Sequence, residues 1–169
     1  PIMLDNPTDM KRKTYVFERG NWLLKTKQVE AGLPGLFVND KDIKLRNRLG
    51  LAQWMTAKSN PLTARTMVNR LWEQLFGQGL VETLEDLGSQ GMAPTHPELL
   101  DYLAYTFMHN DNWSVKKTLK RLVMSETYKQ SAETSKQALQ KDPLNKYYSH
   151  APRVRLTAEQ VRDQALALS

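Results

Sequence analysis

Arg65, Asn69 and Glu73 recur every four residues along the largely apolar run Pro61-Leu62-Thr63-Ala64-Arg65-Thr66-Met67-Val68-Asn69-Arg70-Leu71-Trp72-Glu73. Positions three and four apart share one face of an α-helix, so these side chains form a polar edge with Arg70 beside it. Glu159, Arg162 and Asp163 make a second edge by the same rule. Guanidinium groups match carboxylates and phosphates in two-pronged geometry, so facing edges would build either an ion-pair lattice or an anion pocket. The lattice, locking the last helix to the second, is the expected arrangement, because ion pairs tie helices together without any catalytic role.

His96 is the second candidate, with Asp86, Glu98 and Asp101 near it in sequence. A histidine at a helix start can act as a metal ligand or general base. The plainer reading is a first-turn residue beside a Thr95 cap. Histidines stand only at 96, 109 and 150, with no His-x-x-x-His or His-Glu-x-x-His spacing, so no metal is expected. The chain has no cysteine, which removes thiolate zinc sites, disulfides, a cysteine nucleophile and Cys-x-x-Cys-His haem attachment. No Gly-rich phosphate loop, Gly-x-Ser-x-Gly elbow or dinucleotide fingerprint is present, and no cofactor is expected.

Two further sets complete the inventory. Lys116, Lys117, Lys120 and Arg121, with Lys129 beyond, form a basic face near Trp113 and Tyr128. Nucleic-acid binding would interleave accessible aromatics with such a patch, whereas these two fit core anchors at helix ends; a solvated face is expected and nucleic acid is not. Trp22, Tyr147 and Tyr148 lie outside the strongest helices, where they would stack on sugars or mark a protein interface, the latter being preferred.

The elements that must position these groups follow from periodicity. Thr14-Tyr15-Val16-Phe17 predicts a short strand in an extended arm over residues 1–42, punctuated by Gly20, Gly32, Pro34 and Gly35. Trp22, Leu33, Leu36 and Phe37 of the arm are expected to cover a helical domain over 43–169. Leu45, Leu49, Ala52 and Met55, with Leu51 and Trp54 beside them, predict a first helix from Arg46 to about Lys58. Asn60 and Pro61 suit the cap and first position of a second helix, buried through Ala64, Val68, Leu71 and Leu75 and ended by Gly77 and Gly79. Thr95 with Glu98 predicts a capping box for a third helix, His96 to about His109, burying Leu99, Leu100, Leu103 and Phe107. Ser114 caps a fourth helix carrying Val115, Leu119, Leu122 and Val123. A short polar helix over 134–141 stops at Asp142-Pro143, and Thr157 with Gln160 opens a terminal helix. The expected fold is mainly α: about five or six helices in a bundle, with an N-terminal extended arm.

At 169 residues, with 40% hydrophobic composition and four Trp, the chain suits one folded domain with a proper core. No apolar run reaches the roughly 20 residues of a membrane-spanning helix. The formal charge of +6 would favour nucleic acid, anionic glycan or acidic lipid surfaces, although solubilising charge is its ordinary meaning. The chain starts at Pro1 and stops inside the terminal helix, and it is expected to be a piece of a larger protein.

Several blocks in fixed order add a resemblance. They include Tyr15-Val16-Phe17-Glu18-Arg19-Gly20, Arg48-Leu49-Gly50-Leu51, the Asn60 to Trp72 segment, Phe76-Gly77-Gln78-Gly79-Leu80-Val81 and Glu85-Asp86-Leu87-Gly88. Thr95-His96-Pro97-Glu98-Leu99-Leu100-Asp101, Ser125-Glu126-Thr127-Tyr128 and Arg155-Leu156-Thr157-Ala158-Glu159-Gln160-Val161-Arg162-Asp163 follow. The chain resembles the C-terminal domain of planctomycete-type multidomain proteins that often carry a cytochrome-c-like domain, a domain family of unknown function. It departs from that pattern at Leu87, where Phe is usual, and at Tyr147-Tyr148-Ser149-His150, where a Met- or Arg-rich run is usual. The resemblance implies an exported protein, periplasmic or at the cell surface, with the upstream domain of the same polypeptide as partner. Packing through the arm and the Arg65/Asn69/Arg70 edge is the leading expectation. The rival is an enzyme or ligand site for an anionic polymer or polysaccharide, with Arg65, Arg70, His96, Glu159 and Asp163 converging on a cleft shared with that domain.

Overall fold

Backbone hydrogen bonding and apolar spacing give the chain seven α-helices and one two-stranded sheet among the residues described by a computed structural model, 6–33, 47–153 and 155–169. The expected mainly α class holds, with a sheet of two strands where one was expected. The chain divides into two compact units, Pro1–Asn60 and Pro61–Ser169. The boundary expected between residues 42 and 43 lies outside the described residues, as do Pro34, Gly35, Leu36, Phe37, Leu45 and Arg46.

In the first unit, β1 (Thr14–Phe17) pairs antiparallel with β2 (Lys25–Val29), and the register shifts between Tyr15 and Phe17. The connection is internally bonded: Glu18 N–H donates to Leu24 O at 3.0 Å, Leu24 N–H to Asn21 O at 3.0 Å, and Leu23 N–H to the Asn21 side chain at 3.0 Å. Arg19 and Gly20 take φ of 46° and 77°, so the turn reverses in the left-handed region that Gly occupies without penalty. Trp22 at the tip is 69% exposed. Helix α1 (Arg48–Met55) is shorter than its apolar pattern predicts and is capped by Asn47, whose side chain accepts from Gly50 N–H at 2.8 Å. Leu49, Leu51 and Met55 on it are exposed.

The second unit is built on α2 (Pro61–Phe76) packed against α3 (Pro97–His109). Ala64, Val68, Leu71, Trp72 and Phe76 of α2 meet Leu100, Leu103, Ala104, Phe107 and Met108 of α3 in one core, which Leu122 of α4 (Val115–Val123) and the loop residues Leu80, Val81 and Tyr148 complete. Trp72 and Phe76 stack at 4.1 Å, and Tyr148 meets both rings edge-on at 5.2 and 5.6 Å. Leu75 and Leu99 are only partly buried, and Thr118 is buried on α4 where Val115 was expected. Ser114 caps α4 as the sequence predicts.

Short helices α5 (Glu126–Lys129) and α6 (Lys136–Lys141) follow, and Asp142 ends α6 by accepting from Lys146 and Tyr147 N–H, each at 2.8 Å. Helix α7 (Ala158–Leu168) opens with the full Thr157/Gln160 capping box. Among the described residues no helix is long and apolar enough to cross a membrane.

Candidate functional site

Asn69 sits fully buried among the apolar residues of α2, and its position is explained by a loop residue twelve places on. Its Nδ2 donates to Val81 O at 2.9 Å, and its Oδ1 accepts from Val81 N–H at 2.9 Å. The carboxamide therefore pairs with a peptide group as a strand neighbour would, leaving neither buried backbone group unpaired. A Cβ on Gly79 would stand 2.5 Å from Val81 O and 2.9 and 3.0 Å from the Asn69 amide atoms, so the loop closes only over a residue without one. Gly77 and Gly79, predicted together as helix-ending residues, have separate duties. Gly77 takes φ 75° and donates to Glu73 O at 2.7 Å, while Gly79 makes room for the clasp.

The same loop is held from α3. Leu80 O accepts from the Thr95 N–H at 2.8 Å and the Thr95 hydroxyl at 3.2 Å. That commitment corrects the expected capping box: His96 is the N-cap of α3, without a side-chain cap bond, and Pro97 takes the first helical position. Pro has no N–H to be capped, so the start shifts one residue on. The His96 ring lies 3.0 Å from the Thr95 hydroxyl at Nδ1 and rests against Tyr147 and Tyr148 at 6.0 and 5.8 Å. The carboxylates near it in sequence are engaged elsewhere or stand exposed. Asp86 accepts from Gly88 N–H at 2.7 Å, Asp101 pairs with Arg65, and Glu98 lies on the surface.

The charged candidates separate rather than converge. Arg65 bridges from α2 to Asp101 on α3, Glu73 is half-buried, and Arg70 is exposed without an ion pair among the described residues. Every residue of α7 is exposed, so Glu159, Arg162 and Asp163 face solvent, and the pairing of Arg162 is with its neighbour Asp163 at 4.0 Å. Its own backbone amide, then the Thr157 hydroxyl, holds the Glu159 carboxyl below its ordinary range. The ion pairs among the described residues do not join the two polar edges. Nor is any group of three His, Asp or Glu placed among them to hold a metal ion.

Sequence reasoning passed over several residues that organise this unit. Asp111 is buried at the α3–α4 turn, where its carboxylate accepts from Arg121 at 2.7 Å and from the Thr118 hydroxyl at 3.1 Å. Arg121 thereby leaves the basic face, while Lys116, Lys117 and Lys120 remain exposed. Trp113 packs edge-on against Phe107 at 5.2 Å and is the core anchor expected of it, whereas Tyr128 meets Phe76 edge-on at 5.9 Å but stays 39% exposed. Tyr148, expected at the surface, is buried: φ of 53° turns it inward, its hydroxyl donates to Gln78 O at 3.1 Å, and burial raises its pKa above 10.0. Lys146 reaches Glu82 at 2.7 Å, and this hydrogen bond raises its pKa.

Two surface clefts of about 380 and 450 Å³ meet at His150 and Arg153. Phe76, Gln78, Pro143 and Leu144 line one, and Glu133, Thr134 and Leu139 the other. The His150 Nδ1 lies 3.0 Å from Ala151 O. Neither cleft contains a residue of the sequence-predicted set.

The model of the PSD1 family, described as protein of unknown function (DUF1553), matches residues 47–169, and the chain belongs to that family. Comparison with curated proteins and with solved structures finds no match.

Proposed function

We propose that this member of an uncharacterised family is a packing module of a larger, exported multidomain protein, and that α7 is the element through which it docks onto the remainder. The observation that carries this is the state of α7, an eleven-residue helix with a complete capping box and no buried residue. Helices shorter than about 12–15 residues are marginal in water, and most helical stability in proteins comes from packing an apolar face. Ala158, Val161, Ala165 and Leu168 recur at three- and four-residue steps, which puts them in one stripe of α7. Val161 and Leu168 are 53% and 83% exposed. Glu159 and Asp163 fall on the other side of the wheel and Arg162 beside Ala158 at the stripe's edge, so covering the stripe leaves the three charges outside it.

The resemblance in sequence blocks supports the upstream part of the same polypeptide as the partner, in a planctomycete-type protein with a cytochrome-c-like domain, located in the periplasm or at the cell surface. The enzyme reading has less support, because Arg65, Arg70, His96, Glu159 and Asp163 do not share a cleft. Amide exchange measured on this chain and on the longer polypeptide tests the proposal. The 161–168 amides are expected to exchange near the unfolded rate in the chain alone and to become protected in the longer protein. Val161→Asp should leave the melting temperature of this chain unchanged and remove that protection. Slow exchange of α7 in the isolated chain, or none gained in the longer one, would refute the docking role.

A further inference from the structure

The tip of the β1–β2 hairpin carries three consecutive apolar side chains, Trp22, Leu23 and Leu24, exposed by 69%, 66% and 51%. Phe17, paired with Lys25 at the head of the strands, is also exposed. Such a cluster at the end of a ribbon is a different feature from single apolar residues scattered over a surface. The tip is also ordered rather than loose, because the hydrogen bonds within residues 18–24 fix its path and Thr26 Oγ1 ties β2 back to Val16 O at 2.9 Å.

The charge around the tip is of one dominant sign. Residues 6–33 hold six cations, Lys11, Arg12, Lys13, Arg19, Lys25 and Lys27, against three carboxylates, Asp9, Glu18 and Glu30. All six cations are exposed, and among the described residues none forms an ion pair. Arg19 lies within the tip loop and Lys25 directly follows it. Lys27 is two residues on, about 7 Å along the strand and inside a Debye length at physiological salt.

We propose that this hairpin tip is a peripheral docking element for an anionic lipid surface. Trp22, Leu23 and Leu24 would enter the headgroup and upper acyl region, with Arg19, Lys25 and Lys27 at the level of the lipid phosphates. Trp prefers that interface, and long basic side chains can lay their stems along apolar matter while keeping their charge in water. An apolar insertion flanked by cations is the combination that holds peripheral proteins on acidic bilayers. A protein partner is the less favoured occupant, since three side chains on a narrow convex ribbon supply far less than the roughly 800 Å² per partner of a stable protein interface. The proposal concerns the first unit and is independent of the docking role of α7.

Co-sedimentation of the whole chain with vesicles tests it. The vesicles are phosphatidylcholine alone, or phosphatidylcholine with about one-quarter phosphatidylglycerol. Partitioning onto the acidic vesicles is expected to be at least about tenfold stronger, and to fall with added salt. Trp22→Ser with Leu23→Ser should abolish it, and Arg19→Glu with Lys27→Glu should reduce it to the level seen on neutral vesicles. Circular dichroism checks the fold of each variant, and the charge pair keeps the test decisive if the apolar pair fails to fold. Absence of binding to either vesicle, equal binding to both, or binding unchanged by the variants would overturn the proposal. Self-association lost in the tip variant, without vesicle binding, would overturn it too and assign the tip to a second copy of the chain.

Discussion

Replacing Asn69 by Ala isolates the interaction that the sequence motif is built around. The substitution removes one donor and one acceptor that face the Val81 peptide, in a place where Asn69 is fully buried and Val81 is 2% exposed. Water has no open route to the two orphaned groups. Each unsatisfied buried backbone group costs about 1–3 kcal/mol, so the pair sets a range of about 2–6 kcal/mol. Local relaxation of the 77–81 loop will recover part of this, and a loss of about 3 kcal/mol is expected. Against a total stability of about 5–15 kcal/mol for a typical domain, that is a large fraction. Urea unfolding followed by fluorescence gives the measurement. The midpoint should drop with little change in slope, since the surface exposed on unfolding is nearly the same. Asn69→Asp sharpens the test, because a carboxylate still accepts from Val81 N–H but sets an oxygen against Val81 O. Its folded-state pKa must rise above the unfolded value, so the variant should be least impaired at low pH and lose stability as pH rises through the unfolded and then the folded pKa. A loss below about 1 kcal/mol in Asn69→Ala would refute the reasoning, since it would mean that Val81 finds other partners or that the loop contributes nothing to the fold.

Two other outcomes follow. Tyr148→Phe should cost about 1 kcal/mol at neutral pH through the bond to Gln78 O. Burial raises the Tyr148 pKa above 10.0, so its stabilising share is present below the unfolded pKa and lost as pH rises through the folded one; alkaline melts should show wild type falling more steeply than the variant. Arg65→Ala should cost less than about 1 kcal/mol, an effect that shrinks in salt, because its partner Asp101 is 63% exposed; thermal melts at low and high ionic strength give the check.

The sequence disclosed what depends on local periodicity and hid what depends on distant backbone. The Thr157/Gln160 box and the Ser114 cap are local bonds, and both were legible from residue type and spacing. The apolar rows of α2 and α3 were legible for the same reason, down to Val68 and Leu103. Asn69 was visible as an anomaly, a polar residue in a core helix, yet spacing invited a side-chain network when its partner is a peptide group twelve residues away. Asn-x(9)-Gly-x-Val carries no periodic signal, so only the loop path reveals it. Thr95 failed for a related reason: its hydroxyl satisfies both a cap pattern and a tertiary acceptor, and Leu80 O takes it. Tyr148 was misplaced because positive φ in a non-glycine residue is a tertiary outcome that residue type does not announce.

Asn69, the one candidate of the charged motif that is fully buried, shares a structural task with three other polar side chains. Asn69 holds the backbone at Val81, Thr95 holds it at Leu80, Asp142 holds Lys146 and Tyr147, and Asn145 donates to His150 O at 2.8 Å. In each case a side chain supplies the partner that a helix or strand would have supplied, which is what long connections need if they are to pass near a core without orphaned peptide groups. The 77–96 and 142–151 connections both enter the core that holds Trp72 and Phe76, through Leu80 and Val81 on one and Tyr148 on the other. Polar side chains spent on fixing loops are not available to bind a substrate. The exposed apolar groups of α7 and the hairpin tip have no such internal duty, which is why they, and not the charged motif in α2, are the places to look for partners.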